Sequence, residues 1–521
     1  MSPVALRRFQ TEALRVLGRT ALVSSLTFIG FVVGVGCVIL PLAAPFGIVA
    51  LAAVILLWAA PDRHTTPGQL QRFATLVFYF SIISIPSYFT LVFPGLPWIS
   101  LRRLALVMFA TSTIVTFATS KEHRAYLALV LMNCKPATYL LFLLIALWAA
   151  SVAGSAFPAE SINNIINQHL VWLLSMLAAI AIFRTKDELR RLIFLITACC
   201  LLDFGVGFIE FLLKRPFLFY VVPASMREQL IATNGYLMSL LSGSGIRNGL
   251  YRAASVFTGP LSWGEMAAIV APLGAYFLSE SRTITMRFYG VLVVICCFLS
   301  IYFSGSRGAY VGFIASIMTY ALLWAFRNVR TRPKSLSGGI ILVLFFLGSV
   351  SLAGSVFFVD RINKTVLGNS QAQVSTEART AQWNQARPYV LARPVVGYGV
   401  GMAAGLVNYS AAPGAPVSLD SYVITLLVEM GIPGLLSYMG FFIFLICRCA
   451  YIFVYRLDGE SGPAAGICCA LISYILYRLT LSQIDNNYLA FAIAGIAITL
   501  IHLQALPRQL GTIVDASQAR T

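Results

Sequence analysis

The chain has 521 residues, of which 59% are hydrophobic and only 11% charged, with a mean hydropathy of +0.84. A soluble globular protein carries roughly 25% charged residues, so a water-soluble fold is excluded. The formal charge of +18 does not mark a nucleic-acid binder, because no polar segment is large enough to hold a basic patch interleaved with aromatics.

In lipid every backbone N–H and C=O needs an internal partner, so apolar runs that recur along such a chain are membrane-spanning helices. The N-terminus, with Arg7, Arg8, Arg15 and Arg19 ahead of an apolar stretch, looks superficially like a signal peptide. No small-residue cleavage site ends the run and further spans follow, so it reads as a cytoplasmic amphipathic lead-in to an uncleaved first span. About fourteen spans are expected by length and apolar continuity. They fall near 21–42, 45–60, 74–93, 102–119, 137–153, 165–183, 191–213, 261–279, 286–304, 309–326, 338–358, 420–446, 463–481 and 488–505. The fold class is therefore all-α and polytopic.

Lysine and arginine asymmetry sets the orientation. One set of loops carries Arg63/Arg72, Lys121/Arg124, Arg184/Lys186/Arg190/Arg191, Arg282/Arg287, Arg327/Arg330/Arg332/Lys334 and Arg448/Arg456, while the short loops near 43, 155 and 485 carry none. Arg102-Arg103 is the exception. Both termini are then cytoplasmic, and the long connections 214–260 and 359–419 lie on the other side. The chain divides into N-terminal spans (1–213), a first large loop (214–260), central spans (261–358), a second large loop (359–419) and C-terminal spans with a tail (420–521).

The two loops keep basic residues on a face that usually avoids them: Lys214, Arg215, Arg227, Arg247 and Arg252 in the first, Arg361, Lys364, Arg379, Arg387 and Arg393 in the second. An anionic ligand is the natural explanation. Residues 226–241 suit a short interfacial helix. Residues 375–387 suit a soluble helix, capped by Ser375 or Thr376 and ended by Pro388, on which Arg379, Trp383 and Arg387 form one stripe at i, i+4 and i+8.

Ten cysteines lie in or beside apolar runs, without metal-ligand spacing, and read as packing residues. His64, His123, His169 and His502 all lie outside the large loops.

Four features on the loop side carry the chemistry. They are Tyr251-Arg252-Ala253-Ala254-Ser255, the turn Ser304-Gly305-Ser306-Arg307-Gly308, the Arg379/Trp383/Arg387 stripe followed by Pro394, Gly397, Gly399 and Gly401, and Asp420-Ser421-Tyr422 leading to Glu429-Met430-Gly431-Ile432-Pro433-Gly434. In order and side these resemble the O-antigen ligase and Wzy-type polysaccharide polymerase superfamily, over roughly Arg252 to Gly434. The resemblance implies transfer of a glycan from a polyprenyl-diphosphate carrier to a sugar hydroxyl at the bacterial inner membrane, with no cofactor and no metal. It also implies a lipid-linked glycan and the bilayer as partners, with a chain-length regulator and export machinery as further ones.

Arginine forks pair with phosphate oxygens and can stabilise a departing diphosphate. Arg252, Arg307 and Arg379 are the expected diphosphate ligands, with Arg387 second in line, while Trp383, Tyr398 and Tyr422 are candidates to stack on sugar rings. Against these stand plainer roles, in which Arg307 bonds turn carbonyls or snorkels and Arg387 complements a helix C-terminus. Where ligases of the family carry histidine before the fourth motif, this chain has Leu419 followed by Asp420. Asp420 is the expected base or acceptor-orienting group and Glu377 the alternative, the competing role for Asp420 being a helix N-cap. Glu429, about 13 Å along its helix from Asp420, needs a partner, for which Arg478 is the candidate. Polymerisation of lipid-linked repeats is the preferred function; ligation to a lipid A core and flipping or transport of a lipid-linked glycan are the alternatives.

Overall fold

The computed structural model describes residues 68–86, 89–91, 99–216, 246–247, 250–332, scattered positions of 336–347, 370–409, 419–456, 461–482 and 485–518. Ten of its helices are long and apolar enough to cross a membrane. They coincide with ten of the expected spans to within a few residues at most ends, the main exception being a helix that reaches Tyr455. The spans expected at 21–42 and 45–60, most of 338–358, and the helix expected at 226–241 lie outside the described residues.

The chain falls into two units, one made of 1–68 and 111–124, the other of 69–110 and 125–521. In the smaller unit the helix ending at Thr119 is closed by Arg124, whose guanidinium donates to the carbonyls of Phe117 (2.9 Å) and Ala118 (2.7 Å). A cation on the last, unpaired carbonyls of a helix is the arrangement its dipole favours. The larger unit holds most of the described helices.

That unit opens with α1 (Gln69–Ser84). Its 16 residues span about 24 Å, short of a roughly 30 Å hydrocarbon layer. The span expected at 74–93 is corrected accordingly: the helix starts earlier and stops before Pro86, which disfavours helical backbone at the residue preceding it. A two-strand ladder of Thr90–Leu91 and Ile99–Ser100 follows. Next come α2 (Leu101–Thr119) and α3 (Lys121–Asn133), whose residues 111–124 belong to the smaller unit, then α4 (Lys135–Ala153), α5 (Pro158–Ile182), α6 (Lys186–Leu213), α7 (Pro260–Glu280), α8 (Ile284–Ser304) and α9 (Arg307–Thr331). After them come α10 (Ser370–Ala392), α11 (Ala403–Val407), α12 (Tyr422–Tyr455), α13 (Gly462–Thr480) and α14 (Asn487–Gln518).

Local chemistry explains the helix ends. Thr185 caps α6 reciprocally with Glu188, each side chain bonding the other's backbone N–H. Pro158, Pro260 and Pro463 sit in the first turns of their helices, where a missing N–H costs nothing. The packed centre is α7, α13 and the first half of α14, rich in Ala and Gly. Small residues let backbones approach closely where lipid offers no hydrophobic drive, and these helices have the largest buried shares. Of the nine described cysteines only Cys447 is exposed and none is disulfide-bonded; Cys200 and Cys297 meet across α6 and α8 at 3.6 Å.

Candidate active site at one end of the bundle

Chain-distant contacts gather the four sequence features at one end of the helices. The helix ends there are the α4–α5 turn, the C-terminus of α6, the N-terminus of α7, the α8–α9 turn, the start of α12 and the α13–α14 turn. Basic residues of the opposite loops, such as Arg184 and Arg327, sit at the other ends of the same helices.

The first cluster surrounds Arg252. Ile246–Arg247 pairs antiparallel with Leu250–Tyr251. Ala253 N–H then donates to the Phe303 carbonyl (3.1 Å) and Arg252 Nε to the Ser304 carbonyl (2.8 Å). Those carbonyls end α8 and lack helical partners, so the segment caps the helix. Gly305 turns the chain at φ 59°, where a side chain would press on Arg252 Nε at 3.2 Å. Ser306 is the N-cap residue of α9 and Arg307 its exposed first residue. Arg252 and Arg307 thus both lie at one turn.

The second cluster centres on a break in α12. Gly431 (φ 70°, ψ −171°) interrupts the helix and Pro433 follows. Proline has no N–H for the carbonyl four residues back, and here Gly399 N–H takes the Glu429 carbonyl instead (3.1 Å). Tyr398 N–H donates to the Val428 carbonyl (2.9 Å) and Ile432 N–H to the Pro394 carbonyl (2.7 Å). The glycine-rich segment is therefore the hydrogen-bonding complement of the kink. Close approach explains the glycines: a Cβ on Gly397 would lie 2.4 Å from the Glu429 carbonyl group, and one on Gly431 2.4 Å from the Pro394 oxygen. They serve packing.

Glu429 is buried, with the Ala403 amide donating to it at 3.5 Å. This corrects the pairing expected with Arg478. That arginine bonds Glu265 at 2.9 Å, both side chains fully buried, and stacks over Tyr474 and Tyr422 at 4.9 and 5.2 Å. Asn486 continues the network, donating to Glu265 (2.9 Å) and to the Ser262 carbonyl (2.8 Å). Its neighbour Asp485 accepts from the hydroxyls of Thr258 (2.8 Å) and Ser262 (2.6 Å). A buried charge is costly unless it is paired, and the ion pair with its asparagine ties the start of α7 to the α13–α14 turn.

The helix α10 carries the stripe. It begins before the expected cap and runs through Pro388 to Ala392, which corrects the expected end. The carbonyl that Pro388 leaves unbonded belongs to exposed Asn384, while on the opposite face Gln382 is buried and Ala386 and Val390 pack against Ala403, Val407, Leu419, Ile424 and Val428. Trp383 is 40% exposed and Glu377 and Arg387 are exposed. Arg379 is half-buried, with its Nε enclosed and without a hydrogen-bond partner among the described residues. Gln382 Oε1 accepts the Asp420 N–H (3.0 Å), joining α10 to the start of α12.

Asp420 is half-buried and Ser421, not Asp420, is the N-cap residue of α12, so the capping role is not the one it plays. Tyr398 is half-buried, with Arg393 over its ring at 4.6 Å and Tyr389 edge-on at 5.6 Å. Arg393 also bonds the Gly154 carbonyl, fastening the segment to the α4–α5 turn. Tyr422 is 3% exposed and edge-on to Tyr438, so its ring faces the interior arginine and offers no platform to solvent. His169 is buried between Trp148 and Trp172.

The clusters are linked. Ser482 bonds the Leu419 carbonyl beside Asp420, and the Tyr477 hydroxyl donates to the Leu261 carbonyl (2.7 Å) and meets Ser306 Oγ at 3.5 Å. Sequence reading missed Gln382, Asp485, Asn486 and Glu210. A polar run, Ser482-Gln483-Ile484-Asp485-Asn486-Asn487, between two apolar spans was the available signal for two of them.

Helices that span a membrane many times, with paired arginines at one turn and a kink-bound glycine segment beside it, define a multi-pass membrane protein built around a one-ended polar site. Residues 292–439 match the family described as O-antigen ligase, and the match supports the resemblance to the O-antigen ligase and Wzy-type polymerase superfamily. The matched segment includes Arg307, Arg379, the glycine-rich run and Asp420; Arg252 precedes it. No curated protein matches the chain.

Proposed function

We propose that the protein polymerises polyprenyl-diphosphate-linked oligosaccharide repeats on the outer face of the bacterial inner membrane. The observation that carries this reading is that Arg252 bonds the Ser304 carbonyl at the same turn from which Arg307 opens α9. Two guanidiniums at a helix-end turn suit a lipid diphosphate lying at the membrane edge. In the reaction an acceptor sugar hydroxyl forms a bond to the anomeric carbon of the donor while the bond to the carrier diphosphate breaks. The diphosphate takes the electron pair, and Arg252 and Arg307, with Arg379 from α10, balance its growing charge. The hydroxyl proton passes to Asp420, with Glu377 as the second candidate. Exposed Trp383 offers a ring for sugar stacking, and Arg387 beside it a second anion contact.

Polymerisation is favoured over ligation by Leu419. It occupies the position where ligases of this superfamily usually carry histidine, and here it is packed into the apolar cluster of α10 and α12. Purified protein given lipid-linked repeats alone tests the reading. A ladder of products is expected. Products that form only when a lipid A core is added would make it a ligase, and transfer of labelled lipid-linked sugar across a vesicle bilayer without any ladder would make it a transporter.

A further inference from the structure

The Arg252 segment is held by a residue that the transfer chemistry does not itself require. Glu210 lies three residues before the end of α6, in the apolar run Phe208-Ile209-Glu210-Phe211-Leu212-Leu213, and is 2% exposed. A carboxylate there is costly unless it is fully bonded. Both its oxygens are used, and all three donors belong to the segment around Arg252: the Tyr251 hydroxyl (2.8 Å) and Ala254 N–H (3.0 Å) on Oε1, and Ser255 N–H (2.7 Å) on Oε2.

The same segment contains a strained residue. Ser255 has φ 55°, a left-handed conformation that residues with a Cβ enter only when the surroundings impose it. Besides Glu210, the restraint comes from Ser255 Oγ, which donates to the Asp203 carbonyl at 2.6 Å. Asp203 and Glu210 stand seven residues apart and so share a face of α6. The helix grips residues 251–255 at two points. With the backbone held on one side by α6 and on the other by the Phe303 carbonyl, Arg252 Nε reaches Ser304 and the guanidinium plane is set.

We infer that Glu210 is a positioning residue for Arg252, acting by clamping the 251–255 backbone so that the guanidinium meets the carrier diphosphate. This rests on the reading of Arg252 as a diphosphate ligand. The test is binding of a polyprenyl diphosphate to the detergent-solubilised full chain, with thermal unfolding measured alongside. Arg252→Ala is expected to weaken binding, Glu210→Gln to weaken it about tenfold, a coupling ordinary for residues of one hydrogen-bond network, and Tyr251→Phe by less. The deciding species is the Glu210→Gln/Arg252→Ala double variant, which should bind no worse than Arg252→Ala alone. Additive loss in the double variant would assign Glu210 a purely structural role and overturn the inference, as would wild-type binding by Glu210→Gln. Wild-type binding by Arg252→Ala would instead overturn the diphosphate reading and take the inference with it. Where Glu210→Gln does not fold, Tyr251→Phe with and without Arg252→Ala repeats the comparison with the carboxylate intact.

Discussion

Arg252 and Arg387 of α10 are held in contrasting ways. Arg252 is bound through its own Nε and through a backbone fastened to α6 and α8. Arg387 and Trp383 stand on the exposed side of a helix whose other face is packed. The first arrangement pre-organises a charge before any ligand arrives, which is where electrostatic catalysis gains most. The second leaves side chains free to follow a substrate of variable length. The proposed polymerisation calls for both, a fixed place for the reacting diphosphate and an accommodating place for the growing sugar chain.

This contrast can be broken at several points. The largest effect is expected at the fixed region: Arg307→Ala, and also Arg307→Lys, should reduce chain growth by roughly 100-fold or more, with membrane insertion intact. A normal ladder from either variant would remove the turn from the mechanism.

Next comes the network beneath it. Arg478→Met leaves Glu265 buried without its cation and should cost about 3–5 kcal/mol, seen as a lower unfolding temperature in detergent. Glu265→Gln together with Arg478→Met should recover much of the loss, and no recovery would show that the pair is not the unit of stability.

Third, Gly397→Ala forces a methyl against the Glu429 backbone and should cost about 1–3 kcal/mol. Gly405→Ala in α11, where nothing lies within 4 Å, is the control. Equal stability of the two would refute the complementarity of the glycine segment and the kink.

The smallest effect belongs to the open face. Trp383→Ala should leave stability within about 0.5 kcal/mol while raising the KM for the sugar substrate a few-fold. A collapse in stability would mean that α10 is packed on both sides.

Much of this was legible in the sequence, for identifiable reasons. Ten spans could be read because an apolar run of membrane length has few alternatives. The end of α1 was misplaced although Pro86 announced it. Pro388 misled in the other direction, since a helix with a packed face survives one lost bond. The glycine spacing was readable as a motif, but its purpose depends on Gly431 and Pro433, more than thirty residues later. Glu210 was not legible at all. An isolated carboxylate in an apolar run announces a buried partner without naming it, and its partners lie more than forty residues away. The same distance problem led Arg478 to be matched with Glu429, when its partner is Glu265 on α7.

The central claim is that Arg252 and Arg307 act on one diphosphate at a single turn. Its most direct test is the rate of chain growth from lipid-linked repeats for Arg252→Ala, Arg307→Ala and the double variant, all in reconstituted membranes. The account predicts that each single change nearly stops growth and that the double variant is little worse than either, because both arginines serve one leaving group. Wild-type growth by either single variant, or losses that multiply as for independent sites, would contradict it.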